Sequence, residues 1–448
     1  MKNRLLSLIL IFLFQISISG NLFSQTQTWS KLETGLSGVG NVMAFYQGEL
    51  YVGGNFSTAG SVTCSNIAKW DGHSWSAIGT GTNGAIDAMT VYNNELYVGG
   101  TFSTAGGITA RKIAKWNGTS WDSVGHGIFG VGVYALAIYN GKLCAGGNFV
   151  VAGNTSVKNV AKWDGSNWSA MGNGLELSYY YSYPSQVNSF IVFDNKLIAG
   201  GLFDIAGADS TAWCIASWND ISWSHFGEGV DGSVYAFSIF NSELFAGGWF
   251  SHTGNWYPVH NLVKWNGNNW VDVGTGTDNA VRSLFLYGNL LYVSGDFTNA
   301  GGTSANYIAS YDGTSFPSLG TGMDTTVNCI IADDGIVYAT GKFTHAGGNP
   351  ASKIAKWSDA GVGMNNLSEN QSALLFPNPS NGIFSVVLKD NFHNSEIEIY
   401  NSLGEKISDV ELKDEKTTID LSNEAKGIYF YQILTDGKVI SEGKLITR

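Results

Sequence analysis

From Glu95 to Trp121 the chain reads ELYVGGTFSTAGGITARKIAKWNGTSW, and close relatives of this stretch recur along most of its length. A glycine pair with a phenylalanine two residues later falls at Gly53/Gly54 and Phe56, Gly99/Gly100 and Phe102, Gly146/Gly147 and Phe149, Gly200/Gly201 and Phe203, and Gly247/Gly248 and Phe250. Two degenerate copies follow, Ser294/Gly295 with Phe297 and Thr340/Gly341 with Phe343. Each is succeeded by a short strand-like run ending in Trp70, Trp116, Trp163, Trp218, Trp265, Tyr311 or Trp357. A second aromatic column runs Trp29, Trp75, Trp121, Trp168, Trp223, Trp270 and Phe316, with spacings of 46, 46, 47, 55, 47 and 46 residues. Seven copies of one supersecondary unit at that period predict an all-β fold, a seven-bladed β-propeller.

The composition agrees. Charged residues make up 13% of the 448-residue chain and aromatics another 13%, with 58 glycines, a profile of strands and tight turns rather than helices. The formal net charge is −12 and no stripe of Lys and Arg occurs, so the phosphate-neutralising surface that a nucleic acid requires is missing. Four cysteines, Cys64, Cys144, Cys214 and Cys329, sit in different repeats without CxxC spacing or histidine companions. That predicts free thiols and neither a disulfide framework nor a metal site. At the start, Lys2 and Arg4 form a positive segment ahead of an apolar run over residues 5–14, followed by a stretch of small and polar residues over 17–25. The run is too short to span a bilayer and predicts a cleaved signal peptide, residues 1–25, with no transmembrane segment in the mature chain.

The second repeat resolves into four β segments: Ile86–Tyr92, then residues 95–102, 112–116 and 120–125. Asn93-Asn94, Asn140-Gly141 and Asp194-Asn195 join the first two segments of their repeats, and Asn117-Gly118, Asp164-Gly165 and Asp312-Gly313 join the last two. Such dipeptides tolerate positive φ in tight hairpins. Glycines in mid-strand predict close backbone approach near the propeller axis. The paired aromatic columns fill the wider space between outer strands, each ring burying roughly 150–250 Å², and they take up twelve of the fifteen tryptophans as core. Trp29 opens an outermost strand with no blade before it, and the last unit stops after Trp357 without one. A strand over residues 26–32 is therefore expected to complete the last blade and close the ring, the propeller occupying residues 26–360. After a linker at 361–372, residues 373–448 are rich in Lys, Asp and Glu and alternate as strands, which predicts a small Ig-like β-sandwich.

The repeat resembles kelch-type propeller repeats in its glycine pair and its two following aromatics. It resembles still more the glycine-rich propeller repeats of bacterial surface proteins and of a fungal cortical marker family, through the pattern LYVGGNF…IAKWDGHSW of the first unit. This likeness implies a fold and almost no chemistry. In the tail, Phe376-Pro377-Asn378-Pro379-Ser380-Asn381-Gly382, then Ile399-Tyr400-Asn401-Ser402-Leu403-Gly404-Glu405, then Lys426-Gly427-Ile428-Tyr429 and Lys444-Leu445 resemble, in order, the type A C-terminal sorting domain of the type IX secretion system. The resemblance implies a bacterium of the Bacteroidetes group, the type IX machinery as partner, export to the medium or cell surface, and removal of the tail on release or attachment. It marks Pro377, Asn378, Pro379, Gly382, Gly404, Gly427, Tyr429 and Lys444 as the sorting signal and none of them as catalytic.

In a four-stranded meander, the loops entering the first strand and those joining the second to the third emerge on one face, where function concentrates. An insertion there, residues 176–184 (ELSYYYSYP), carries Tyr179, Tyr180, Tyr181 and Tyr183. Neighbouring loops hold the three tryptophans outside the columns, Trp213, Trp249 and Trp256, accompanied by Tyr257, His252 and His260. Exposed aromatics not needed by a core make a platform on which sugar faces stack; the competing reading has the inserted loop pack its rings down over a wider blade junction. A ring of more polar residues begins the innermost strands: Asn41, Asp87, Tyr134, Asn188, Tyr235, Arg282 and Asn328. These are expected to line one mouth of the axial channel, where such a ring holds water or a small ligand or ion.

No HExxH, GxSxG or phosphate-cradling loop occurs. Asp71-Gly72-His73-Ser74-Trp75 is similar to the Asp-box of sialidase-like propellers, but it lacks the leading Ser/Thr-x-Asp and is one residue short, so it reads as a hairpin turn. Glu176, Asp209, Glu228 and Asp231 fall on or near the loop face, which leaves open a glycosidase with two carboxylates flanking a sugar. No catalytic residue, cofactor or metal is assigned. The sequence thus predicts a secreted or cell-surface propeller acting as a binding or adhesion module for a glycan or a protein. A polysaccharide-active enzyme on the same face is the alternative, and a purely structural surface component is the third reading.

Overall fold

The computed structural model describes residues 27–178 and 184–359, and in the tail residues 373–376, 380, 382–388, 394–401, 405–412, 414, 416–436 and 438–447. The expected signal peptide and linker lie outside these residues, as does the tyrosine cluster at 179–183. By its contacts the chain divides into two compact units, Met1–Ala360 and Gly361–Arg448.

Every described element of the first unit is a strand, a bridge or a turn. Seven antiparallel sheets follow one another along it. The first has the strand order Val39–Tyr46, Glu49–Asn55, Ile67–Trp70, Trp75–Ala77, and we letter these positions A to D from the axis outward. Each A strand packs against the A strand of the next blade, and the last, Val327–Asp333, packs against the first, Val39–Tyr46, so the ring is closed. The outermost strand of the last blade comes from the beginning of the chain. Gln27–Lys31 pairs antiparallel with Ile354–Asp359, setting Trp29 opposite Trp357.

The glycine pair has a specific cause. In every blade the A–B ladder carries a register shift at the same place: between Gly40 and Val42, Ile86 and Ala88, Val133 and Ala135, Val187 and Ser189, Val234 and Ala236, Val281 and Ser283, and Val327 and Cys329. One extra residue on strand A is thus accommodated as a bulge. The second glycine lies against this bulge. A Cβ on Gly100 would sit 2.0 Å from the Ala85 carbonyl oxygen, and one on Gly341 would sit 2.2 Å from that of Thr326. The first glycine instead faces the next blade's A strand, as Gly99 does against Val133 at 2.5 Å. That contact is between side chains and can adjust, which explains why blades six and seven carry Ser294 and Thr340 there yet keep Gly295 and Gly341.

Outward, the two aromatic columns meet. The six Trp–Trp pairs have ring centroids 5.2–5.5 Å apart. The D-strand indoles also hold neighbouring blades together, because each donates its N–H to a backbone carbonyl of the preceding blade: Trp121 to Ile78 (3.0 Å), Trp168 to Val124 (3.1 Å), Trp223 to Met171 (2.9 Å), and, across the closure, Trp29 to Leu319 (2.9 Å). A buried carbonyl is satisfied and a ring is buried by the same side chain.

Three features depart from the simple repeat. Blade six has three ladder strands and only an isolated Ala309–Ser318 bridge where D belongs, since Pro317 has no N–H to offer the ladder. Blade three lengthens its inner hairpin to Ile128–Tyr139 and Lys142–Ala152. Most B–C loops are small β-ribbons of their own, such as Thr104–Ala105 with Ile108–Thr109, tied to the D–A loop by the Thr82–Ala105 bridge. The four cysteines are free, and burial pushes the Cys144 and Cys214 thiols up to about 12, far from reactive thiolates.

The second unit has a three-stranded sheet ordered Ala373–Phe376, Ile383–Leu388, Lys416–Asp420 and a four-stranded sheet ordered Lys406–Glu411, Ser395–Tyr400, Gly427–Thr435, Lys438–Thr447. One core draws on both: Phe384, Val386 and Ile419 from the first, Ile397, Ile399, Ile433 and Leu445 from the second. Gly382 adopts φ +98°, and a Cβ there would meet the Ser422 Cα at 2.6 Å. The Gly427 N–H donates to Thr447 Oγ1 (2.9 Å), the buried Tyr429 hydroxyl donates to the Ala425 carbonyl, and Lys444 pairs with Phe430 in the ladder. Pro377, Asn378, Pro379 and Gly404 lie outside the described residues.

Candidate functional site

Strand A begins, and strand B ends, on the face that carries the D–A and B–C loops. The residue skipped by each A-strand bulge is Asn41, Asp87, Tyr134, Asn188, Tyr235, Arg282 or Asn328. All seven line one cavity of about 390 Å³ at the centre of this face, joined by Gln186 and Lys342. The repeat phase picked out the seven residues; the bulge that aims them had no sequence signal of its own beyond the glycine pair.

The three asparagines of this ring are structural. Asn41 Nδ2 donates to the Ile86 carbonyl (3.4 Å), Asn188 Nδ2 to that of Val234 (3.2 Å) and Asn328 Nδ2 to that of Gly40 (3.1 Å), each reaching the next blade. The other four differ in chemistry. Asp87 accepts from Asn41 Nδ2 at 2.8 Å, and burial raises its carboxyl above the ordinary value against that bond. Burial, with the Asp87 charge beside it, raises the Tyr134 phenol. The Arg282 guanidinium donates through Nε (2.9 Å) and lies 2.7 Å through Nη2 from Asp296 Oδ2, with its carbon 5.7 Å from the Tyr235 ring centre. Burial works to raise the Asp296 carboxyl, but the bonds from Arg282 and Thr326 outweigh it and hold it low.

Blade five carries the aromatic cluster. Trp249, Trp256 and Tyr257 are 65%, 67% and 69% exposed. Trp256 sits at the tip of the B–C ribbon with φ +61°, where blades two, six and seven place Gly107, Gly302 and Gly348 at φ +82°, +79° and +80°. A left-handed backbone costs a residue with a Cβ about 1–2 kcal/mol. Half-buried Trp213 of blade four braces the Trp256 ring edge-to-face at 6.4 Å, and the His252 ring lies 5.5 Å from it. His252 in turn contacts Asp231 Oδ2 through Nδ1 at 3.1 Å. Trp249 ends strand B and lines a second cavity, of about 380 Å³, with Asp231, Ser251, His260, Thr277 and Asp278. The same slot in blade one, of about 460 Å³, has Asn55 in place of the tryptophan, Ser65 in place of His260 and Asn83 in place of Asp278. Among the described residues, no hydrogen bond is made by the Tyr257 hydroxyl or by the indole N–H of Trp249 or Trp256.

The loop-face carboxylates are engaged elsewhere. Asp231 accepts from the backbone N–H of Ser251 and His252 and from the Ser251 hydroxyl, and Asp278 does the same with Thr298 and Asn299. Burial acts to raise both, yet these bonds hold both below the ordinary carboxylate value. Glu176 pairs with Lys158, Asp209 is bound by Thr211 and His225, and Glu228 accepts the Trp270 N–H. Lys342 and Asp296 were not among the residues singled out from the sequence. The signal was the residue after each glycine pair, which runs Asn55, Thr101, Asn148, Leu202, Trp249, Asp296, Lys342 while its neighbours hold constant.

Seven blades, six of four ladder strands and one of three, closed around a polar mouth make this a β-propeller. Residues 23–179 and 176–332 match the family model of the Rax2 C-terminal β-propeller domain, and the chain belongs to that family. Residues 374–448 match the secretion system C-terminal sorting domain. The tail is the type IX sorting signal, so the protein works with that secretion machinery and is secreted or held at the cell surface. No helix among the described residues is long and apolar enough to cross a membrane. No curated protein matches the sequence. Similar solved structures include PorZ, a surface component of the type IX secretion system of Porphyromonas gingivalis (14% identity, 91% of this chain and 59% of that one, TM-score 0.43). Another is the extracellular domain of BT4673 from B. thetaiotaomicron (12%, 94% and 59%, 0.46), and a third is a fungal alcohol oxidase of the AA5 family in complex with copper (11%, 94% and 99%, 0.43). The chain spans 59% of PorZ and of the BT4673 domain.

Proposed function

We propose that this exported propeller is a glycan-binding module whose platform is blade five, with Trp256 and Tyr257 at the ribbon tip and Trp249 over the adjoining slot. The observation that carries the reading is that three large aromatics of one blade are about two-thirds exposed, one of them held in a backbone conformation that costs stability. Indole and phenol rings stack on the C–H face of a sugar while their N–H and O–H groups meet its hydroxyls. Tyr179, Tyr180, Tyr181 and Tyr183, which fall in sequence between blades three and four, belong to the same proposal as further candidate contacts. A polysaccharide-active site is less well supported, because it needs one carboxyl kept protonated and another free to attack or to activate water. Asp231 and Asp278 are instead bound up as loop caps with lowered pKa.

The test compares the full chain with Trp249→Ala and Trp256→Gly on a glycan array. Glycine suits the left-handed tip, so Trp256→Gly is expected to melt at or above the wild-type temperature while retention on the array falls by at least about tenfold. Retention that is unchanged in both variants refutes the platform; retention lost together with the fold assigns the rings to packing.

A further inference from the structure

The mouth of the axial channel has a charge arrangement that the fold does not require. Three of its seven bulge residues are asparagines stitched to the next blade, which shows what the position needs for structure alone. Arg282 of blade six departs from that pattern, and so does Asp87 of blade two. In a ring of seven those two blades are as far apart as the ring allows, so the charges do not neutralise each other. Arg282 is instead fixed by Asp296, which Thr326 orients, while Lys342 of blade seven brings a second cation to the same arc. Among the described residues no carboxylate forms an ion pair with Lys342. A guanidinium held rigid by a structural carboxylate and facing a cavity is already organised to receive an anion. The opposite arc offers Asp87 as an acceptor and the Tyr134 hydroxyl, with the Tyr235 ring beside Arg282.

A cavity of about 390 Å³ lies at the small end of ligand sites. Its lining of amides, phenols and charges suits a molecule covered in hydroxyls. We propose that the mouth is a second binding site, distinct from the aromatic platform of blade five, for an acidic monosaccharide unit whose carboxylate lies between Arg282 and Lys342 and whose hydroxyls reach Asp87 and Tyr134.

Calorimetric titration of the full chain with D-glucuronate, its methyl ester and D-glucose tests this. Glucuronate is expected to bind at least about tenfold more tightly than the ester or glucose, the difference being one charge-assisted contact. Lys342→Gln is expected to weaken glucuronate about tenfold, and Tyr134→Phe severalfold, with melting temperatures unchanged because neither side chain bonds another described residue. Trp249→Ala and Trp256→Gly leave glucuronate affinity unchanged under this proposal. Absence of glucuronate binding, equal affinity for glucose, indifference to Lys342→Gln, or loss of glucuronate binding in the blade-five variants each overturns it. Failure of the blade-five platform alone leaves the glucuronate result standing.

Discussion

The residue before each C strand shows how one backbone demand is met by different side chains. Asn66, Lys112, Asn159, Cys214, Asn261, Tyr307 and Lys353 all take φ between +60° and +66°. Where asparagine occupies the site its amide also bonds both ways: Asn66 accepts the Phe56 N–H and donates to the Thr82 carbonyl at 2.7 Å. Lysine pays the left-handed cost without that return, its ammonium reaching instead to Thr101 from Lys112 and to Lys342 from Lys353. Lys112→Asn and Lys353→Asn should each stabilise by about 0.5–1.5 kcal/mol, read as a raised midpoint in urea; an unchanged or lowered midpoint would contradict this account. At this scale much was legible. The repeat phase singled out the polar mouth residues and the surplus tryptophans, since a residue out of step with seven copies is visible in a line of text. What the text did not carry was direction. The Trp256 ring is braced by Trp213 of another blade, and the Arg282–Asp296 pair is oriented by Thr326 of the next one.

At the level of the strand, the bulge and the second glycine form one device, and the two glycines of a pair are not equivalent. Gly341→Ala forces a Cβ against the Thr326 carbonyl at 2.2 Å, a backbone contact that cannot swing aside. It should cost about 3 kcal/mol, the upper end for overpacking, whereas Thr340→Gly, which loses the bond from Oγ1 to the Lys353 carbonyl, should cost about 1 kcal/mol. Similar melting shifts for the two would mean that the bulge does not explain the motif. The four segments of each blade were readable from alternation and turn dipeptides. The ribbons in the B–C loops were not, because two-residue strands have no period; nor was the missing outer ladder of blade six, which a single proline decides.

Taken whole, the molecule depends on a joint between its beginning and its last blade. Removing residues 27–34 takes away the Trp29–Trp357 pair and the Trp29 bond to Leu319, and bares a sheet edge. The truncated chain should aggregate or lose well over half of its unfolding free energy, and a preserved denaturation midpoint would disprove the role given to this strand. The loop caps give a second global property. Asp324 stands below its ordinary 3.8 at about 2: burial opposes this, and the bonds from Thr344 and His345 outweigh it. A carboxyl lowered in the folded state contributes stability that is complete above the unfolded value and is lost as pH falls through the folded one. Thermal stability should therefore hold from neutrality to about pH 5 and decline between about pH 4 and pH 2. Asp324→Asn, matching the neutral cap Asn83 of blade two, should flatten that decline; an equally steep one would remove the caps from the explanation. Closure was foreseeable by counting segments, whereas the acid profile required bond partners that no linear reading supplies. The tryptophan pairs have a further consequence. Six indole couples held near 5 Å at similar tilts should produce an exciton couplet in circular dichroism that disappears when the toroid opens. Iodide, meanwhile, should quench chiefly the emission of Trp249 and Trp256, so that the protein carries separate built-in optical reporters of its integrity and of its exposed blade-five aromatics.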